Sequence, residues 1–463
     1  MKAQHKPLCG GDTRKPIEGR TITSVFKPMK QGPHYRQGNV LTTLLLMRMV
    51  WQLLINLPSL FKLRKDYKKR KRQTEDFSVI FYSDNLDEVN GIANSLRSVV
   101  PYLTSKGKKA HLWGSAFHTR TNGVVENGFV VLFPRAASME QLGYADSELA
   151  FPYLVPVIKF LKRYPADLME LETPSPGAWL VGIAAKIIGM KVLSHYRTDV
   201  PSYTLSLVKE AWMRRYVLWL IRIFYQNTMP VISPCKAYSK ILETEIKIKP
   251  EHIKVLPRGI PLEKFSPSLR KQNSTHITFL YVGRISVEKN IPFLEELWKE
   301  FCKENKKVEL VFVGGGWYLE TLKENMKEYS NVHFVGVKTG RELAEFYANA
   351  DFFLFPSATD TFGNVIVESI ASGTPALVTD KGGPQDIINN ASKKCGWILQ
   401  YGDLNAWKKQ LKKCCEMVGS QEYEQMREAC VEHGKNYTLE KMATAQWEFY
   451  RFLLNKNSVH NGN

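Results

Sequence analysis

The run FPSATDTFGNVIVESIASGTP holds two acids eight positions apart, Asp360 and Glu368. The stretch TFGNVIVESIAS reads as a helix that opens near Phe362 and is stopped by Gly373. Asp360 then precedes the helix, and Glu368 lies about 12 Å farther along its axis. Unsatisfied N–H groups around Phe362 and Gly363 fall between the two acids, where the helix dipole favours an anion. Acid, amide donors and acid in that order fit an extended ligand. A sugar would meet Asp360, a phosphate the helix N-terminus and a ribose Glu368, since carboxylates accept strong hydrogen bonds from hydroxyls. A plainer reading has Asp360 capping the helix and Glu368 solvated on its flank. Both readings stand on these residues alone.

Other groups suit the same chemistry. Gly283 and Arg284 follow the apolar run ITFLYV, and Lys289 comes five residues after Arg284. In one strand–helix connection both cations can reach a pyrophosphate, although a solvated surface pair has the same spacing. Gly314, Gly315 and Gly316 follow ELVFV and precede a helix. That is the form of a phosphate cradle, and equally of a tight structural turn. Gly91 sits in the loop after the first strand. His195 and Arg197 end the stretch KVLSHYR, on one face if the strand continues.

The elements that must position these residues alternate strand and helix. FSVIFY, AHLWGSA, FVVLFPR and ADLMEL lead a first series; HITFLYV, VELVFV, DFFLFPS and PALVTD lead a second. A Pro/Gly-rich joint lies between them around 256–267. This alternation predicts parallel sheets covered by helices, hence an α/β chain of two doubly wound domains facing a cleft. A chain of 463 residues is long enough for two such cores. We place the domains at 76–262 and 263–438, after an extension over 1–75. Ligands of such sheets bind beyond the carboxyl ends of the strands, which is where the residues above fall.

The net charge of +19 is concentrated at the start, where residues 1–75 hold 17 Lys/Arg against 4 Asp/Glu. That predicts an anionic partner, a membrane surface or nucleic acid, or a solvated basic tail. Within it, residues 40–61 carry a single charge, and KLRKDYKKRKR follows directly. The apolar run is about long enough to span a bilayer. Its polar residues Arg48, Gln52, Asn56 and Ser59 form one narrow stripe, which suits a helix lying in the interface of an anionic leaflet. A spanning helix would place Lys62 onward on the cytoplasmic side. Packing on the protein's own domain is a third option. Residues 208–225, VKEAWMRRYVLWLIRIFY, are also basic and aromatic, as an interfacial helix would be. The extension lacks the aromatic interleaving of a nucleic-acid platform, so no nucleic-acid partner is expected. Seven cysteines, without Cys-x-x-Cys or Cys/His ligand spacing, point to reduced thiols and no zinc site.

GRISVEKN (283–290) together with SATDTFGNVIVESIASGTPALVTDKGG (357–383) resembles the retaining family-four glycosyltransferases of the GT-B fold. PRGIPLEKFSP (257–267) is similar to that family's inter-domain joint. SDNLDEVNGIANSL resembles the first loop of its lipid- and mannosyl-transferring members. The resemblance covers the chain from about Phe77 to its end. It implies two Rossmann-like domains, with a last helix, here within 439–457, crossing back onto the first. It implies that Arg284 and Lys289 bind the donor pyrophosphate, Glu368 the ribose and Asp360 the transferred sugar. Phe362 and Gly363 would lend backbone donors, and Gly91 would belong to the first-domain loop closing on donor and acceptor. No bound metal or other cofactor is expected; the donor is a nucleotide-sugar substrate.

Two departures stand out. The first acid of the family's pair is usually Glu and here is Asp360. Many relatives carry a His near the sugar and phosphate where this chain has Arg197, with His195 two residues earlier. Either residue could take that role, or neither. The expected acceptor is a membrane lipid or lipid-linked molecule, with the protein peripheral or singly anchored on the cytoplasmic side of a membrane. A soluble glycan acceptor, or a non-catalytic scaffold of the same fold, are the alternatives.

Overall fold

The computed structural model describes residues 35–70, 76–84, 86, 91–116, 124–126, 130–140, 148–199, 211–271 and 276–459. The basic tail before residue 35, the loop position Asn90 and residues 208–210 lie outside these.

The first sheet is built from β1 (Ser78–Tyr82), β2 (Lys109–Ala116), β3 (Val124–Glu126), β4 (Val130–Glu140), β5 (Glu148–Pro152), β6 (Leu168–Leu171), β7 (Lys191–His195), β8 (Val231–Ser233) and β9 (Ile253–Val255). Its order is β3-β4-β2-β1-β6-β7-β8-β9, with β5 also on β4. The pairings of β4 with β3 and β5 are antiparallel, and the others are parallel. The second sheet holds β10 (Ile277–Val282), β11 (Val308–Val313), β12 (Val332–Phe334), β13 (Phe352–Phe355), β14 (Ala376–Thr379) and β15 (Gly396–Leu399). It is parallel throughout, in the order β12-β11-β10-β13-β14-β15. SVIFY and FFLF are buried along their whole length. A central parallel strand covered by helices on both faces requires such continuous apolar runs.

The helices around the first sheet are α1 (Tyr35–Lys69), α2 (Gly91–Ser105), α3 (Leu154–Arg163), α4 (Pro176–Ile188), α5 (Ala211–Asn227) and α6 (Lys236–Thr244). Those of the second part are α7 (Ile291–Cys302), α8 (Leu319–Asn325), α9 (Gly340–Asn349), α10 (Asn364–Ala371), α11 (Pro384–Asn389), α12 (Leu404–Met417) and α13 (Gln421–Gly434), followed by α14 (Leu439–Val459). Alternate residues of the first sheet feed two separate cores. Val79, Phe81 and Leu168 pack with α2 and α14, while Ile80, Tyr82 and Met169 pack with α1, α3, α4 and α5. The chain therefore returns to the first sheet at its end. Ile260 donates its N–H to the Tyr437 carbonyl at 3.0 Å, and Leu439 donates back to Ile260 at 3.2 Å. Phe77 then stacks on Trp447 with ring centroids 4.5 Å apart. The six cysteines among the described residues form no disulfide.

The structure corrects the reading of α1. Gln52 and Asn56, expected to face water, are buried. Gln52 Oε1 accepts the Leu154 N–H at 2.8 Å, and Asn56 Nδ2 donates to the Gln52 carbonyl at 2.8 Å. The N–H groups of the first turn of α3 lack a side-chain cap of their own. A glutamine from α1 meets that need better than water does at a packed interface. The helix thus packs on its own domain through a mixed face, Gln52 and Asn56 with Met49, Leu60 and Leu63, while Arg48 and Ser59 stay exposed. No described helix is long and apolar enough to cross a membrane, because Arg48, Gln52, Asn56 and Ser59 dilute the run.

Candidate active site

The residues with chemistry gather at the carboxyl ends of both sheets. After β10, a short turn ends at Asn290, whose left-handed backbone (φ 59°) opens α7. Asn290 Nδ2 donates to the Pro356 carbonyl at 3.3 Å, tying this turn to the end of β13. Lys289 thereby meets Asp360. Its Nζ donates to both carboxylate oxygens at 2.8 Å, and Ser357 Oγ donates to the same acid at 2.5 Å. Arg284 lies in the same turn, more open, 4.0 Å from Glu288.

Asp360 does not cap the following helix. α10 starts at Asn364, two residues later than its sequence suggests, with Gly363 at its N-cap (φ 96°) and no side-chain cap. Only glycine takes that backbone without strain, and a Cβ there would press on Pro384 at 3.0 Å. Phe362 is buried, with its ring 5.8 Å from that of Tyr437. These two residues hold the loop so that Asp360 turns to Lys289 and the start of α10 carries no side-chain cap. Glu368, half-buried on α10, accepts the Tyr347 hydroxyl at 2.8 Å. Burial pushes its carboxyl up to about 7 against this one hydrogen bond.

The glycines after β11 support this loop by making room. A Cβ on Gly314 would run into the Gly283 carbonyl oxygen. The Gly314 N–H is given to the Gly336 carbonyl at 2.9 Å, and Gly315 accepts from the Ile285 N–H at 2.9 Å. Gly283 and Gly314 are thus where two strand ends approach closely, under the turn that carries Arg284 and Lys289.

In the first sheet, His195 and Arg197 do share a face, and each meets a glutamate of the neighbouring β6 segment. His195 Nδ1 lies 3.0 Å from Glu170, and Arg197 Nε donates to Glu172. Tyr450 and Gln446 of α14 also donate to Glu170. Arg197 further reaches Ser95 Oγ, 3.4 Å away on α2, the helix that Gly91 opens. Burial raises both glutamates, with Arg197 opposing. Burial and Arg197 hold His195 well below its usual range, so its imidazole is neutral. The oxygen and nitrogen atoms of Glu170, Glu172 and His195 lie within 4.8 Å of one another, close enough to cage a metal ion. Tyr450, Gln446 and Arg197 already donate to these carboxylates, however, and the Arg197 charge opposes a second cation there.

The two halves meet at Arg197. Its carbonyl accepts Thr361 Oγ1 at 2.8 Å and Arg258 Nη2 at 3.3 Å. Asp386 accepts the Ala237 N–H across the same cleft at 2.8 Å. Burial, then Arg197, push Arg258 down to about 9, and it remains a cation at neutral pH. Lys289, Asp360 and Glu368 therefore line one wall, and Arg197 lies on the other. His195 sits deeper, beside α14. Sequence reasoning missed Glu170, Glu172, Arg258 and Tyr347. Two acids at i and i+2 in the apolar stretch LMELE were a usable signal; Tyr347 had none.

Two family profiles match in tandem. Glycosyltransferase Family 4 matches residues 89–264, and Glycosyl transferases group 1 matches residues 265–436. An alpha-monoglucosyldiacylglycerol synthase of Streptococcus pneumoniae is 29% identical over 70% of this chain and 75% of its own. A GDP-mannose-dependent alpha-mannosyltransferase of Mycobacterium tuberculosis is 26% identical over 69% of this chain and 82% of its own. The structure of a sucrose-phosphate synthase from Thermosynechococcus elongatus superposes with a TM-score of 0.67 at 18% identity, over 82% of this chain and 100% of that one.

Proposed function

The chain belongs to the family-four glycosyltransferases and has their GT-B fold, and on that premise we propose that it moves a hexose from a UDP- or GDP-sugar to a hydroxyl of a membrane lipid or lipid-linked acceptor, with retention at the anomeric carbon. The observation that carries this reading is the Lys289–Asp360 pair in front of the uncapped start of α10, with Glu368 farther along the same helix. The ribose hydroxyls would donate to Glu368. The diphosphate would lie at the start of α10, beside Lys289 and Arg284. The transferred sugar would take Asp360 hydroxyl contacts.

The difficult step is the growth of negative charge on the leaving β-phosphate. Lys289, Arg284 and the helix-terminal amides would stabilise it, and loss of one such preorganised donor costs about 2.7–4 kcal/mol of barrier. The acceptor hydroxyl forms the new bond to the anomeric carbon on the face the phosphate leaves. Its proton passes to that phosphate, so no enzymic nucleophile is required. Contacts such as Thr361 to Arg197 bridge the two halves, and closure of the cleft over the donor would exclude water and limit hydrolysis. The lipid acceptor is supported by the name of the streptococcal relative, and we place the protein peripherally at a membrane surface, on the cytoplasmic side.

The test is to mix purified protein with UDP- and GDP-sugars, with and without membrane lipids, and to read products by mass spectrometry. A lipid gaining one hexose increment is expected. Nucleotide release with a hexose on a soluble glycan instead would overturn the lipid acceptor. Absence of both turnover and donor binding in folded protein would favour a scaffold, for which the engagement of Arg197 by Glu172 is the best argument.

A further inference from the structure

Because α1 buries Gln52 and Asn56 together with Met49, Leu60 and Leu63, its opposite side is open and mostly apolar, with Arg48 and Ser59 exposed beside it. Met47, Val50, Trp51, Leu54, Ile55 and Phe61 are each 49–63% exposed. A contiguous apolar face of this size on a helix marks an interaction site. Directly after it, Lys62, Arg64, Lys65, Lys68 and Lys69 are exposed, against a single acid, Asp66. A second helix of the same layer repeats the chemistry: α5 exposes Trp212, Tyr216 and Trp219 together with Arg215. Both helices pack on the same face of the first sheet, the one that carries Ile80 and Tyr82.

We propose that α1 is a docking helix that lies flat in the interface of an anionic bilayer. Val50, Trp51, Leu54, Ile55 and Phe61 enter the acyl boundary. Lys62 to Lys69 lie over the anionic headgroups. The aromatic residues of α5 make a second contact. The charge identifies this occupant. A basic cluster beside an apolar stripe matches an anionic lipid surface on both counts. A second copy of a chain with net charge +19 would bring charge of the same sign. Helices of this kind lie along the interface, and no described helix can cross the bilayer. The polar contact of Gln52 with Leu154 then has a purpose: it fixes the rotation of α1 so that the apolar side faces away from the domain.

The dock rests on the membrane-acceptor reading only for its use, and it is tested without turnover. Full-length protein is floated with vesicles of phosphatidylcholine alone and of phosphatidylcholine with phosphatidylglycerol. Binding to the anionic vesicles is expected, with at least about tenfold less on the neutral ones, as for a face that needs both area and charge. Trp51→Glu with Ile55→Glu, at exposed positions, should lose flotation about tenfold or more while keeping the melting temperature and donor-nucleotide affinity of the parent. Lys65→Glu with Lys69→Glu should remove the preference for anionic vesicles. Unchanged flotation of the Trp51/Ile55 variant would overturn the proposal. So would light scattering that shows a dimer which this variant turns into monomers, since the face would then belong to a second copy. Normal vesicle binding without any glycosylated lipid would leave the dock standing and remove the lipid acceptor.

Discussion

The cleft holds two ion pairs of the same kind in different surroundings. Lys289 and Asp360, at the strand ends of the second sheet, keep 16% and 24% of their side chains exposed. Arg197 and Glu172, at the strand ends of the first, keep 3% and 0%. A partly solvated pair gains little from its own contact and opens cheaply, so a ligand can take either member. A fully buried pair is held by the cost of leaving one charge alone. The difference separates the roles. The second sheet offers charges that can change partners when donor binds, and the first fixes a cation in place. Glu172 is on this view a positioning residue, acting through Arg197.

The sharpest way to break this comparison is to remove one member of the buried pair. Glu172→Leu leaves Arg197 buried without its hydrogen-bonded counter-charge and should cost about 3–5 kcal/mol of stability, read as a lower urea midpoint. Adding Arg197→Met should return most of that loss, because apolar groups of similar volume replace a buried pair at little net cost. If Glu172→Leu unfolds at the same urea concentration as the parent, the pair is solvated in solution and the distinction fails.

The exposed pair should behave in the opposite way. Lys289→Ala should change stability by no more than about 1 kcal/mol. It should nevertheless lower turnover at least about tenfold, because on the proposed donor placement the lost cation faces the leaving phosphate. Measured together, melting and initial rates test both halves of the claim. A variant with parent-like rates would take Lys289 out of the chemistry.

The same contrast explains what could be read from the sequence. Lys289 and Asp360 lie in short connections after strands and Glu368 in the helix that follows, where local spacing controls what they can reach, so their grouping at one end of the sheet was legible. The start of α10 was misplaced by two residues because Gly363 adopts a left-handed cap that spacing does not reveal. Glu170, His195, Gln446 and Tyr450 form one cluster from three distant segments. No local pattern announces such a meeting. For α1, periodicity found the polar stripe but not that its middle, Gln52 and Asn56, turns inward, since that depends on whether a donor such as the Leu154 N–H waits on the domain beneath.

Glu368 belongs to the open wall but is partly buried, and its pH response sharpens where the boundary lies. Its carboxyl is raised from 4.5 to about 7 by burial. A raised acid contributes stability that is fully present below its unfolded value and is lost as pH rises through about 7. The unliganded protein should therefore lose this increment between about pH 4.5 and pH 7, and Glu368→Gln should flatten that slope. On the proposed placement donor works in the reverse sense, because ribose hydroxyls donate more strongly to the carboxylate than to its protonated form. If only the ionised form binds, affinity for the nucleotide should rise by up to about tenfold from pH 6 to pH 8, following the ionised fraction. Calorimetric titration with UDP and with GDP at both pH values measures this, and proton release on binding should accompany it. Equal affinity at both pH values for the nucleotide that binds would mean that Glu368 does not hold the ribose. It would then be grouped with the buried residues of the first sheet as part of the support.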